Sequence, residues 1–251
     1  MELQKANGWK RIAAWILDII LLCILTVGAV YLLSAVVGFD AYDAKLQAAY
    51  DSYESQYGVT FSIDQQTYEA MTDAERENYN AAYDALIADE EAMYAYNMVV
   101  NLSLLLVTLG ILLATLILEF IIPLLLKNGQ TVGKKCFSLG IVRIDGVKMN
   151  TLQLFARTIL GKYTIGTMIP VYIAMMLFWG SLDAIGLVLL AALVIAQAIC
   201  VAVTRNNSTI HDLLAGTVVV DISSQQVFES TEDLIAYTKR IHAERAQRQE
   251  Y

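Results

Sequence analysis

The chain has little of what catalytic or disulfide-held proteins use. Only two prolines, two histidines and three cysteines occur in its 251 residues. Cys23 and Cys200 lie in apolar runs and Cys136 in a basic loop, so no disulfide framework exists and free thiols are expected. No metal-ligand spacing is present, and His211 and His242 stand alone. No nucleophile–base pair, metal cluster or cofactor motif is visible. The expectation is therefore not an enzyme, with no cofactor and no nucleic-acid partner. Charged residues are scarce at 17%, whereas 57% of the chain is hydrophobic. That apolar excess falls in runs of bilayer length, the pattern of a multi-span membrane protein.

Four apolar segments stand out, at about 12–38, 97–126, 164–180 and 182–203. The first is flanked by Lys5, Lys10 and Arg11, but it exceeds the 7–15-residue core of a cleaved signal and reads as a retained anchor. The third contains Pro170 and is parted from the fourth by the polar turn Trp179-Gly180-Ser181-Leu182-Asp183. Read as one helix the pair would rise roughly 60 Å, about twice the hydrocarbon core, so two spans are expected. Segment 127–163 carries Lys127, Lys134, Lys135, Arg143, Lys148, Arg157 and Lys162 against Asp145 alone. Segment 39–96 carries Lys45 and Arg76 against thirteen acids. Positive charge marks the cytoplasmic side. Both termini and 127–163 are accordingly expected inside the cell membrane, and 39–96 outside.

The outer insert has nine tyrosines. Tyr42, Leu46, Ala49, Tyr53 and Tyr57 form a helical stripe that stops at Gly58, a C′ residue by position. Thr72 and Glu75 form a capping box for a second helix, whose stripe is Tyr79, Tyr83, Leu86 and Met93. An antiparallel hairpin that continues the first two spans beyond the membrane is expected, as a solvated stalk with an aromatic seam. Its acidic surface and tyrosines leave cation or glycan binding open.

Past the second span, Lys127-Asn128-Gly129-Gln130-Thr131-Val132-Gly133-Lys134-Lys135 invites a phosphate-loop reading. Its glycine spacing is one residue short and Lys135 replaces the magnesium-binding hydroxyl, so that reading is set aside. Leu139–Lys148 alternates around Asp145-Gly146, which predicts a two-residue β-hairpin. Residues 151–162 read as an amphipathic helix at the membrane surface. Asn206–Gly216 reads as a capped short helix, Thr217–Asp221 as an extended segment and 229–251 as a charged helix with Leu234, Ile235 and Ile241 on a weak apolar face. The expected fold is an all-α membrane protein: four transmembrane helices, an extracytoplasmic helical hairpin and a small cytoplasmic β-hairpin or strand element. Its segments are 1–38, 39–96, 97–126, 127–163, 164–203 and 204–251.

In this order, Arg11 with Asp18 seven residues on, Gly129-Gln130-Thr131-Val132-Gly133-Lys134-Lys135, the strand and turn Ile141–Gly146, Arg157 and Thr209–Thr217 carry a resemblance. The chain resembles the RDD family of integral membrane proteins over about 11–38 and 97–221. The resemblance implies Arg11, Asp18 and Asp212 as signature residues. It says little about activity, since most members have none assigned and a few resemble cation/proton antiporters. Nothing transfers to the insert.

Asp18 is the only charge between Arg11 and Asp40. Facing lipid it would cost roughly 2.5–3.5 kcal/mol on insertion scales, so it needs a partner, a proton or a cation. It lies roughly 10 Å inside Arg11 along the axis, and Glu119 lies roughly 12 Å inside Lys127, in the same layer. Pro123 cannot donate to the Glu119 carbonyl, which adds a freed oxygen to a candidate ion or proton site at Asp18 and Glu119. The alternative is a structural ion-pair cluster. Arg157 or Lys162 would snorkel to Asp18, and Asp212 would pair with Arg11 or Arg157. A third possibility is a Glu119 that is simply protonated, since burial raises a carboxyl pKa. His211 reads as an interfacial hydrogen-bonding residue or a proton shuttle. Two functions stay open: a small transport protein for a monovalent cation or proton-coupled solute, which requires a homo-oligomer, or a non-transporting scaffold for another membrane protein.

Overall fold

A computed structural model describes residues 6–126, 129–178, 180, 183–224 and 226–249. Lys5, Lys127 and most of the turn around Trp179 lie outside the described residues, as do the Asp183 and Arg248 side chains. The fold is mostly helical, with a small antiparallel sheet. Its helices are α1 (Gly8–Val37), α2 (Phe39–Tyr57), α3 (Gln65–Ala70), α4 (Asp73–Ala88) and α5 (Glu90–Leu126), then α6 (Val132–Cys136), α7 (Thr151–Leu177), α8 (Asp183–Val203), α9 (Ile210–Ala215) and α10 (Thr231–Gln249). Four of these, α1, α5, α7 and α8, are long and apolar enough to cross a membrane. The polarity is inverted relative to a soluble protein. Val36, Val27 and Leu187 are exposed, while Asp18, Arg157 and Asp212 are buried. Apolar side chains that face outward in this way suit a lipid surround.

The chain divides into two compact units, one of residues 26–111 and the other of the remainder. In the first, Gly38 takes a left-handed conformation (φ 69°) between α1 and α2, and Gly58 (φ 65°) closes α2. The Thr72–Glu75 capping box starts α4 as the spacing requires. Leu46 and Leu86 of the two tyrosine stripes are buried, with Ala82 beside them. Phe61, outside both stripes, is the centre of the aromatic seam, 5.8 Å from Tyr50 and 5.9 Å from Tyr79 between ring centres. The short α3 interrupts the simple hairpin.

In the second unit, β1 (Leu139–Arg143) pairs antiparallel with β2 (Thr217–Asp221), in register Leu139↔Asp221 to Arg143↔Thr217. The expected hairpin is therefore corrected. The Asp145-Gly146 turn forms, with the Arg143 amide donating to Val147 O at 2.8 Å, but the return segment makes only isolated bridges, Val142↔Lys148 and the parallel Val147↔Phe228. The β-branched run Thr217–Val220 out-competes it because its alternate faces are buried on both sides: Ile141 and Val219 against Ala6 and Ala14, and Val142, Val218 and Val220 on the other face.

The surface helix expected at 151–162 and the span expected at 164–180 are also one element, the continuous α7. The structure explains why no break occurs between them. Residues Ala156–Met168 form a π-helix, and so do Leu116–Ile121 of α5. Each wide-turned stretch ends two residues before one of the chain's two prolines, Pro170 and Pro123. A proline lacks an N–H and crowds the carbonyl four residues back. Shifting the preceding ladder to five-residue spacing accommodates that without a break.

Candidate functional site

The polar side chains of the second unit assemble around α9, which Gly216 (φ 63°) closes. Asp212, in its first turn, is 1% exposed. Its Oδ1 accepts from Arg157 Nε at 3.0 Å and Nη2 at 2.7 Å. Its Oδ2 accepts from the Thr209 hydroxyl at 2.7 Å and the Thr209 amide at 3.2 Å. Arg11 Nη2 stands 3.7 Å from the same oxygen, and its Nη1 donates to Asn207 O at 2.7 Å. Burial is the largest single influence and would raise the Asp212 pKa, but the charges of Arg157 and His211 and the hydrogen bonds from Thr209 and Arg157 together outweigh it and hold the carboxyl well below its ordinary range. Because the Thr209 hydroxyl gives its proton to Asp212, His211 Nε2, 2.9 Å away, must be the donor to Thr209 Oγ1. Burial, and then the charge of Arg157, lowers the His211 pKa, which suits that neutral tautomer.

Asp18 is held from a different direction than the sequence suggested. Neither Arg157 nor Lys162 bonds to it. Its Oδ2 accepts from the Thr131 hydroxyl at 2.5 Å and its Oδ1 from the Gly133 amide at 2.8 Å. Lys134 Nζ lies 3.6 Å from the carboxylate and donates to Thr131 Oγ1 at 3.1 Å. Gly133 makes the approach possible, since a Cβ there would sit 2.2 Å from Ala14 O. Thr131 also caps α6. Burial, and then the nearby charge of Lys162, brings the Lys134 pKa down to about 8.

Lys162 pairs instead with Glu119 Oε1. The Glu119 carbonyl that Pro123 frees accepts from the Thr158 hydroxyl at 2.9 Å. Both members of the Glu119–Lys162 pair lie in the π-helical stretches, a geometry frequent at functional sites. Glu119 Oε2 and Thr115 Oγ1, one turn earlier on α5, are buried without a hydrogen-bond partner. Both residues line a cavity of about 830 Å³ whose wall includes Asp18, Lys162, Gln197 and His211 among mostly aliphatic side chains. The two carboxylates predicted to share a layer thus share a cavity, with different surroundings.

Residues 5–216 match the sequence profile of the RDD family. The chain belongs to the RDD family. No curated protein and no solved structure matches it. On this RDD chain the three residues expected as signature positions divide between two clusters: Arg11 and Asp212 share one, and Asp18 bonds to the α6 loop. Thr115, Thr131, Gly133, Lys134 and Thr158 were missed as site residues. For Thr131, Gly133 and Lys134 a signal was present: a hydroxyl, a glycine and a lysine together in one short loop. Thr115 and Thr158 lie in apolar or basic helical runs, where a threonine is unremarkable.

Proposed function

We propose that this RDD protein moves a cation or a proton-coupled solute across the cell membrane, with the Glu119–Lys162 pair as its coupling site. The supporting observation is the buried, unpartnered Glu119 Oε2 on the cavity wall, beside a lysine that holds only the other oxygen. A buried carboxylate–lysine pair in a span can exchange its lysine partner for a proton or an incoming organic cation. Asp18, saturated by Thr131, Gly133 and Lys134, has the role of a clamp. On this reading both termini and the basic 127–163 segment face the cytoplasm, and four spans enclose a pathway as a homo-oligomer. The protein is not an enzyme on this reading.

Proteoliposomes with an internal pH dye test it, driven in turn by Na+, K+ and methylammonium gradients. Wild type is expected to move protons against at least one, and Glu119→Gln to abolish the flux. A folded wild type with no flux under any gradient removes the transport assignment. The full saturation of the signature residues favours the second reading, a scaffold for another membrane protein, and that outcome would leave it standing.

A further inference from the structure

The oxygens at the Glu119–Lys162 pair are too few for a bare metal cation. Hard cations take about six oxygen ligands. Glu119 Oε1 is engaged by Lys162, the Glu119 carbonyl by Thr158 and both Asp18 oxygens by the α6 loop. Among the described residues there, only Glu119 Oε2 and Thr115 Oγ1 are buried without a hydrogen-bond partner. Two oxygens cannot replace a hydration shell. They do suit a hydrogen-bond donor: residues four apart on a helix lie about 5–6 Å apart at Cβ, within reach of one donor head group.

The cavity supplies the other half of the specification. At about 830 Å³ it has the size of a small-molecule site, roughly 300–1,000 Å³. Trp15, Ile19, Leu193 and Val194 present an apolar wall that gives a hydrated ion nothing and an organic body a great deal. An ionised carboxylate only accepts, so an anionic head group finds no donor at Glu119 Oε2, and Lys162 on the same wall is already paired with Glu119 Oε1. A neutral hydroxyl would make a bond about half as strong as a charged one. We propose that this cavity binds a small amphipathic amine, its protonated nitrogen donating to Glu119 Oε2 and Thr115 Oγ1, its apolar body against Trp15, Ile19, Leu193 and Val194. As the identity of a transported solute this rests on the transport reading, but binding is measurable without flux.

The test is calorimetric titration of the full chain in phosphatidylcholine nanodiscs with benzylamine, against benzyl alcohol and benzoate as matched probes. Saturable benzylamine binding is expected, at least tenfold tighter than benzyl alcohol, with none for benzoate. Glu119→Gln should abolish it. Should that variant fail to fold, two others carry the test. Thr115→Val removes a hydroxyl with no partner to lose and should weaken binding several-fold. Gly166→Leu should fill the cavity, because a Cβ at Gly166 meets only Gly161 O at 3.5 Å. Absence of saturable benzylamine binding overturns the proposal, as does equal binding by Thr115→Val and Gly166→Leu. Binding without flux supports it and removes the transport reading. Flux without binding does the reverse.

Discussion

A carboxylate in an apolar helix must find donors, and this chain solves the problem three times with three different sets. Asp212 takes arginine, Asp18 takes a loop amide and a hydroxyl, and Glu119 takes a lysine. That Asp18 needed a partner was plain from its surroundings. Which partner was not, because Thr131 lies 113 residues away and depends on β1 pairing with β2 to bring the loop home. The Arg157–Asp212 pair was foreseeable, since both are charges next to apolar runs with opposite sign. Removing one member of a buried pair strands the other charge, at a cost of about 3–5 kcal/mol. Arg157→Gln is therefore expected to lower the unfolding midpoint in detergent strongly. Asp212→Asn in the same chain should recover part of that loss, and additive losses would show that the pair is not coupled.

Lys134 makes a separate prediction from pH. Its folded pKa, about 8, lies below the ordinary lysine value, so between about pH 8 and 10.5 the unfolded chain binds the extra proton. Stability contributed by this residue is lowest below pH 8 and rises through that window. The difference in melting temperature between wild type and Lys134→Met is expected to shift in favour of wild type from pH 7.5 to pH 10. A constant difference would mean that Lys134 is not desolvated.

At the scale of elements, glycine and proline decide the packing. Gly161 abuts α9 so closely that a Cβ would lie 2.3 Å from His211 Cβ, and Gly133 is equally tight against Ala14. Gly166 has room. Overpacking typically costs about 1–3 kcal/mol. Gly161→Ala and Gly133→Ala are expected to destabilise by that amount, while Gly166→Ala, which also gains helix propensity, is neutral or stabilising. Thermal melts of the three variants check the ranking, and a Gly161→Ala as stable as Gly166→Ala would contradict the packing.

Helix existence was readable from apolar period and length, and the insert's caps from Thr72, Glu75 and Gly58. The misread elements were those governed by competition at a distance. The Asp145-Gly146 turn is a true local signal, yet its strand belongs to Thr217–Asp221. The polar face of 151–162 has the period of a surface helix, but its charges are there to meet Asp212 and Glu119, which no local pattern records.

For the whole molecule, the proposed orientation rests on charge partition: seven Lys and Arg in 127–163, and thirteen acids in 39–96. Lysine and arginine near span ends resist translocation, whereas acids contribute little, so the basic segment and not the acidic one sets the direction. Cysteine chemistry can read this directly. Cys136 is exposed in the basic segment, while Cys23 and Cys200 sit within the candidate spans α1 and α8, where a lipid surround would keep a water-borne maleimide away. In right-side-out vesicles a membrane-impermeant maleimide is therefore expected to leave the wild type unlabelled until the vesicles are permeabilised. Ser55, exposed on α2, offers the opposite probe. Ser55→Cys in a Cys136→Ser background should label at once in intact vesicles. Labelling of Cys136 before permeabilisation, with Ser55→Cys protected, would invert the topology. The Glu119–Lys162 pair would then lie near the outer face, and the proposed solute would meet it before crossing rather than after.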